Sequence, residues 1–246
     1  MPNKISRESI VKMCEMALKE DVRTFYTKPF VNYKGTVKGN PDLYYTELVA
    51  EFVLNHIDKF MSIKPIPKAE LGKSFNMHKQ GEHNPKTKKI EEKIAIEMFL
   101  QSKKGHDMKH VGNIIDYQVP LKAKMSDKAG KIDLLSVSDA GVYALELKGE
   151  DNKDTMLQCV LKAFTCLKLV EKSKLLHDFN IPDDRQIYAA PLVFKGGSQW
   201  REMQEPEKHK HLLKLMKEFD IKGPFYVTSQ TKYYAEMGEE DKGYKK

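Results

Sequence analysis

The sequence predicts an α/β domain built on a mixed sheet. Three observations carry this. From Thr87 to Lys195 the periodic segments run helix, strand, strand, strand, helix, strand. The second and third strands are joined by Ser138-Asp139-Ala140-Gly141, a cluster of turn residues between two apolar, β-branched-rich runs, so they read as a β-hairpin. A long helix that Asp154 and Thr155 can cap, reaching about Lys172, separates that hairpin from a fourth strand.

Ahead of this core the chain reads as a mainly helical extension, residues 1 to 85, either a separate unit or packed on the unit formed by residues 86 to 246. Ser6 to Glu20 is a helix with Ser6 as its N-cap and apolar residues at Ile10, Val11, Met13, Cys14, Ala17 and Leu18. Val22 to Lys38 is aromatic and broken by Pro29 and Gly35, which suits a short hairpin or an irregular lid. Asp42 to Met61 is a second helix, and Glu70 to Lys89 a polar connector. The core opens with a helix from about Thr87 to Lys103, whose apolar stripe is Ile94, Ala95, Met98 and Phe99; Glu91 projects inside that stripe, with Glu92 and Glu97 nearer its edges. Val111 to Leu121 is a strand, then come the hairpin and the long helix. Arg185 to Lys195 is a strand in spite of Pro191, Gly196 to Trp200 a loop, His211 to Phe219 a helix and Phe225 to Ser229 a short strand; the charged tail from Gly238 reads as frayed.

The hairpin from Gly130 to Lys148 carries the chemistry. On its second strand Val142, Ala144, Glu146 and Lys148 share one face, and Tyr143, Leu145 and Leu147 the other. An acid and a lysine therefore stand at the end of a strand that otherwise reads as buried on both faces, where an unpaired charge is costly. If Ser138 lies opposite Gly141, Val137 faces Val142, Leu135 faces Ala144, and Asp133 faces Glu146. Two carboxylates so placed repel unless a cation lies between them. A loop with a bulge at Gly141 would shift the register by one and turn Asp133 to the opposite face. The plain alternative is an ion pair at a sheet edge, Glu146 with Lys148 or Lys131.

Composition sets the frame. At 246 residues with 40% hydrophobic content, the chain can bury one large core. A net charge of +7 suits a nucleic-acid partner without requiring one. Cys14, Cys159 and Cys166 have no C-x-x-C spacing and read as buried free thiols. The first residues hold no apolar signal core, and no apolar run reaches the ~18 residues of a membrane span, so the expectation is a cytoplasmic protein with no membrane partner.

The order α-β-β-β-α-β, with Asp133, twelve intervening residues and then Glu146-Leu147-Lys148, resembles the PD-(D/E)XK nuclease superfamily over roughly residues 87 to 195. The motif is short, and acid-x-Lys also occurs at Glu91/Lys93, Asp107/Lys109, Asp151/Lys153 and Asp220/Lys222; its placement at the end of an apolar strand carries the specificity. Ile132 stands where the family usually has Pro. The resemblance implies a restriction-endonuclease-like core and a Mg²⁺ site, with Mn²⁺ able to substitute. Asp133, Glu146 and the carbonyl of Leu147 would be metal ligands, and Lys148 would activate or orient the attacking water. Members often add an acid from the first core helix, here Glu91 with Glu92 as second choice, and some place a Gln on the helix after the Lys strand, here Gln158. One exonuclease branch has an aromatic residue after that Gln, where this chain has Lys162.

The implied function is Mg²⁺-dependent hydrolysis of phosphodiester bonds, most plausibly in DNA, with a homodimer expected if both strands are cut. The alternatives are a catalytically silent nucleic-acid-binding or assembly protein retaining the fold, and a metal-dependent hydrolase of a small phosphorylated molecule. Plainer readings stand beside individual residues. Lys162 reads as a snorkelling lysine or a phosphate contact, Lys195 to Gln199 as a phosphate cradle or a plain turn, and the aromatics from Phe25 to Tyr45 as base-stacking or core residues.

Overall fold

A computed structural model describes residues 4–76, 87–124, 129–229 and 232–237. The expected frayed tail and the middle of the Glu70 to Lys89 connector, with His78 and His83, lie outside the described residues. Its centre is one six-stranded sheet in simple sequence order: β1 (Asn113–Pro120), β2 (Lys131–Ser138), β3 (Gly141–Lys148), β4 (Ile187–Phe194), β5 (Phe225–Ser229) and β6 (Tyr233–Met237). The first three strands are antiparallel, β3–β4 and β4–β5 are parallel, and β5–β6 is antiparallel. The mixed α/β class follows.

The β2–β3 register is the even one. Ser138 pairs with Gly141, Val137 with Val142, Leu135 with Ala144 and Leu134 with Leu145. Every residue of β3 is buried, because helices cover both faces of the sheet. On one face lies α4 (Ile90–Lys103), whose Ala95, Met98 and Phe99 pack with Leu134, Leu145, Leu147 and Leu192. On the other lies α5 (Met156–Leu169), the crossover between the parallel strands β3 and β4. Thr155 caps α5, its Oγ1 accepting from Gln158 N at 3.2 Å.

The N-terminal helices α1 (Arg7–Lys19), α2 (Tyr45–Asn55) and α3 (Ile57–Met61) belong to the same core as α5. Ile10, Phe25, Val49 and Phe60 form one continuous apolar cluster with Val160, Phe164 and with Leu215 and Phe219 from α8 (Lys210–Glu218) and its end. Phe164 and Phe219 stack at 3.6 Å between ring centroids. No helix among the described residues is long and apolar enough to cross a membrane.

Several boundaries differ from the sequence expectation. Val22 to Lys38 forms neither hairpin nor lid: it makes two 3-10 turns, Val22–Thr27 and Pro29–Asn32, that bury Phe25 and Phe30 as core residues. The Asp42 to Met61 helix starts at Tyr45 and breaks at His56. There the imidazole Nδ1 takes Phe52 O at 2.8 Å, the carbonyl that the next helical N–H would use, and the His56 N–H turns to Val53 O instead. The crossover helix stops at Leu169, because buried Val170 is extended; α6 (Lys172–Asp178) follows. Gly196 to Trp200 is not wholly loop, since α7 (Ser198–Glu202) begins within it. Strand β6 was absent from the sequence reading; it pairs along β5, with Ala235 opposite Val227. The three cysteines are free and buried, as expected.

Candidate functional site

The α5-facing side of the hairpin is where the anomalous charges meet. Cys159, Lys162 and Cys166 recur at helical spacing along the stripe of α5 that faces the sheet: Cys159 Sγ lies 3.8 Å from Glu146 O and Cys166 Sγ 3.7 Å from Lys131 O. The residue between them is a lysine rather than an apolar side chain. Its Nζ donates to Glu146 Oε1 at 2.7 Å and to Asp133 Oδ2 at 3.3 Å. Asp133 and Glu146, from two different strands, therefore converge on one cationic atom. Lys148 Nζ is 3.1 Å from the same Glu146 Oε1 and 2.7 Å from Asp154 Oδ2.

Burial makes these contacts matter. Glu146 is 2% exposed and Lys148 4%. Burial, with Asp133 adding to it, pushes the Glu146 carboxyl up to about 8, against the pull of Lys162 and Lys148. For both lysines burial is the largest single influence and opposes the charged form, but Glu146 together with Asp154 at Lys148, and Glu146 together with Asp133 at Lys162, outweigh it, and each amine holds its proton above the ordinary lysine range. An amine so held is a donor and a fixed positive charge.

Asp133 is positioned from three sides. Leu147 N donates to its Oδ2 at 3.1 Å, Gln118 Nε2 to its Oδ1 at 3.3 Å, and Lys162 completes the set. Gln118 lies in β1 between the Tyr117–Leu134 and Val119–Ile132 pairs, opposite Asp133, with a backbone φ of +50°. A left-handed glutamine within a strand costs on the order of 1 kcal/mol, which the surrounding pairing sustains. From the N-terminal region, the Tyr26 hydroxyl stands over this corner, at 3.4 Å from where a Cβ on Gly130 would lie. Burial lifts the Tyr26 phenol to about 12, and Cys166, Lys162, Glu146 and Asp133 all act on it.

The loop from Gly149 to Thr155 fixes Lys148's partner. Glu91 reaches this loop: its Oε1 accepts from Asn152 Nδ2 at 2.7 Å and from Gly149 N at 3.3 Å, so its contacts run there and not to the Asp133–Glu146 pair. Glu92, the second choice, takes a hydrogen bond from Thr87 Oγ1. Asn152 Oδ1 accepts from Asp154 N at 2.7 Å and from Gln199 Nε2 at 2.9 Å. Asn32 Nδ2 donates to Asp154 Oδ1 at 3.1 Å. Asp154 thus arrives at Lys148 with its other oxygen already tied. Gln158 caps into Thr155 through its backbone, and its buried Oε1 has no partner among the described residues.

Sequence reasoning missed Gln118, Asn32, Asp154, Gln199 and Tyr26 as members of this arrangement. Most of them join it through contacts that are remote in sequence. Lys162 did carry a signal, a lysine inside the apolar stripe of a buried helix. The turn at Lys195 to Gln199 contributes Gln199 to the loop, and nothing there points to a phosphate cradle.

No family model matches this chain, and no curated protein and no solved structure is significantly similar to it. The donor chemistry must therefore stand by itself. Asp133 and Glu146 both contact one amine, at 3.3 and 2.7 Å, and Mg²⁺ is held by one or two carboxylates with waters and phosphate oxygens. A cluster of three or more His, Cys, Asp or Glu side chains able to hold a metal does not occur among the described residues. The donor set fits a divalent ion of the two-carboxylate kind once the Lys162 amine yields.

Proposed function

We propose that this protein is a metal-dependent nuclease of the PD-(D/E)XK kind, hydrolysing phosphodiester bonds in DNA. The observation that supports it is the convergence of Asp133 and Glu146 on one cationic atom beside the Lys148 amine. The succession α4, β1, β2, β3, α5 and β4, with α6 inserted before β4, also supports this reading.

In this reading Asp133 and Glu146 hold the ion, with the Leu147 carbonyl as a further donor. A bound Mg²⁺ or Mn²⁺ supplies Lewis acidity toward water and phosphate oxygen. Lys148, held charged and aimed by Asp154, donates to the attacking water or to a phosphate oxygen as negative charge builds there. Glu91 and Gln199 keep the Gly149–Thr155 loop in place, and through it Asp154.

One observation favours a second reading. Lys162, with Lys148 beside it, offsets the charge of the two carboxylates without any metal, which is what a catalytically silent, fold-retaining binding protein needs. Plasmid nicking separates the two. The nuclease reading expects Mg²⁺- or Mn²⁺-dependent nicking by purified protein that Lys148→Ala reduces at least ~100-fold. Absence of cleavage on any nucleic acid, with equal binding by wild type and variant, selects the silent protein.

A further inference from the structure

The Lys162 amine and a divalent ion need the same two oxygens. Nζ sits 2.7 Å from Glu146 Oε1 and 3.3 Å from Asp133 Oδ2, and a metal bound to those oxygens would lie at roughly 2 Å from each. An ammonium and a dication cannot share that space, since like charges a few Å apart in a buried site repel strongly. The two lysines are not equivalent. Lys148 is clamped by Asp154 as well as Glu146, with its side chain 5% exposed. The Lys162 side chain is 20% exposed, and among the described residues its hydrogen bonds run only to the two carboxylates. It is the amine with both a reason to leave and a way out.

We propose that Lys162 is a resident counter-cation of the Asp133–Glu146 pair that a divalent metal must displace in order to bind. This rests on the metal-dependent reading above. The lysine keeps two carboxylates folded side by side in the absence of metal, and it sets a threshold for metal loading, because every ion bound must first break two ion pairs. Neutralising position 162 lowers the threshold and leaves Asp133 without its lysine and Glu146 with Lys148 alone.

The test is Mn²⁺ binding to the full-length protein, read from the electron paramagnetic resonance signal of the free ion. Wild type is compared with Lys162→Met, Lys162→Gln and Lys162→Arg. Lys162→Gln keeps a hydrogen-bond donor between the carboxylates and serves where Lys162→Met fails to fold. The neutral variants are expected to bind Mn²⁺ at least about tenfold more tightly than wild type, or roughly 1.4 kcal/mol. Lys162→Arg, which keeps the charge, is expected to stay at the wild-type value. Adding Asp133→Asn to Lys162→Gln removes the gained binding. Equal Mn²⁺ affinity in wild type and neutral variants overturns displacement while leaving the metal site standing. Gained binding that survives Asp133→Asn also overturns it, by placing the ion elsewhere. No Mn²⁺ binding by any of them removes the metal reading itself, and this inference with it.

Discussion

Lys162 Nζ lies 2.7 Å from Glu146 Oε1, closer than the 3.1 Å of Lys148, the lysine two residues along the same strand. The acid thus receives its shortest ion pair from the helix that crosses over it, and the strand lysine is shared with Asp154 at 2.7 Å. Removing one member of such a buried set leaves the others uncompensated, typically at 3–5 kcal/mol. The arrangement divides into an acidic pair bridged by Lys162 and a second lysine shared with Asp154.

Asp154→Asn tests how Lys148 is aimed. The substitution keeps the shape and the contact with Asn32 but removes the negative charge facing the amine. The nicking rate with saturating Mg²⁺ is expected to fall about 10- to 100-fold with KM for DNA little changed, the usual size of an orienting contact. A variant that cuts at the wild-type rate would detach Asp154 from the mechanism.

Glu202 gives a pH dependence remote from the two carboxylates. Its Oε2 accepts from Met156 N at 2.8 Å at the start of α5, and burial lifts its pKa from 4.5 to about 7. The folded protein holds this proton more tightly than the unfolded chain. Its stabilising effect is therefore complete below about pH 4.5 and is lost as pH rises through 7. At about 1.4 kcal/mol per pH unit the loss is roughly 3 kcal/mol at most. Glu202→Gln, which keeps an acceptor for Met156, is expected to match wild type near pH 5 and exceed it in Tm at pH 8. Parallel thermal melts at the two pH values read this out, and a constant difference would contradict it.

The N-terminal region and the sheet share one core, so the latter should not fold without the former. A chain starting at residue 87 exposes Val160, Phe164, Leu215 and Phe219, which in the intact protein face Ile10, Phe25, Val49 and Phe60. It is expected to lack near-ultraviolet circular dichroism and a cooperative melt. A cooperative transition at the wild-type temperature would make the extension dispensable.

Two glycines give a paired stability prediction. Gly112, with φ +70°, would place a Cβ 2.1 Å from Val137 O, while Gly35, with φ +87°, has no atom within 4 Å of that position. Gly112→Ala is expected to lose more than ~2 kcal/mol in urea denaturation, because a backbone carbonyl must move. Gly35→Ala should lose about 1 kcal/mol, from the left-handed backbone alone. Equal losses would mean that the strand pairing beside Gly112 relaxes freely.

The hairpin was legible because period-two burial and a turn of fixed length together determine register, and register determines which acids face one another. The pairing observed runs from Ser138–Gly141 to Leu134–Leu145, one step short of Asp133 and Glu146, and the two acids meet through Lys162. What stayed hidden depends on helix rotation and remote contacts. The rotation of α5 over the sheet, which brings Cys159 to Glu146 O and Cys166 to Lys131 O, places Lys162 between the carboxylates. Glu91 was aimed inward by its apolar neighbours, but the hydrogen bonds of the Gly149–Asn152 loop capture it, and no local pattern encodes those. Strand β6 is only five residues long and half-exposed along most of its length, so its pairing with β5 left little periodic signal. His56 ends α2 through a side-chain bond to its own helix, which helix periodicity does not register.

The most direct measurement is anomalous diffraction from a crystal soaked in Mn²⁺. One peak is expected within coordination distance of Asp133 and Glu146, with the Lys162 amine moved off both carboxylates. Strong peaks only at other sites, or none while Lys162 stays bonded to both acids, would contradict the metal centre on which the nuclease reading depends.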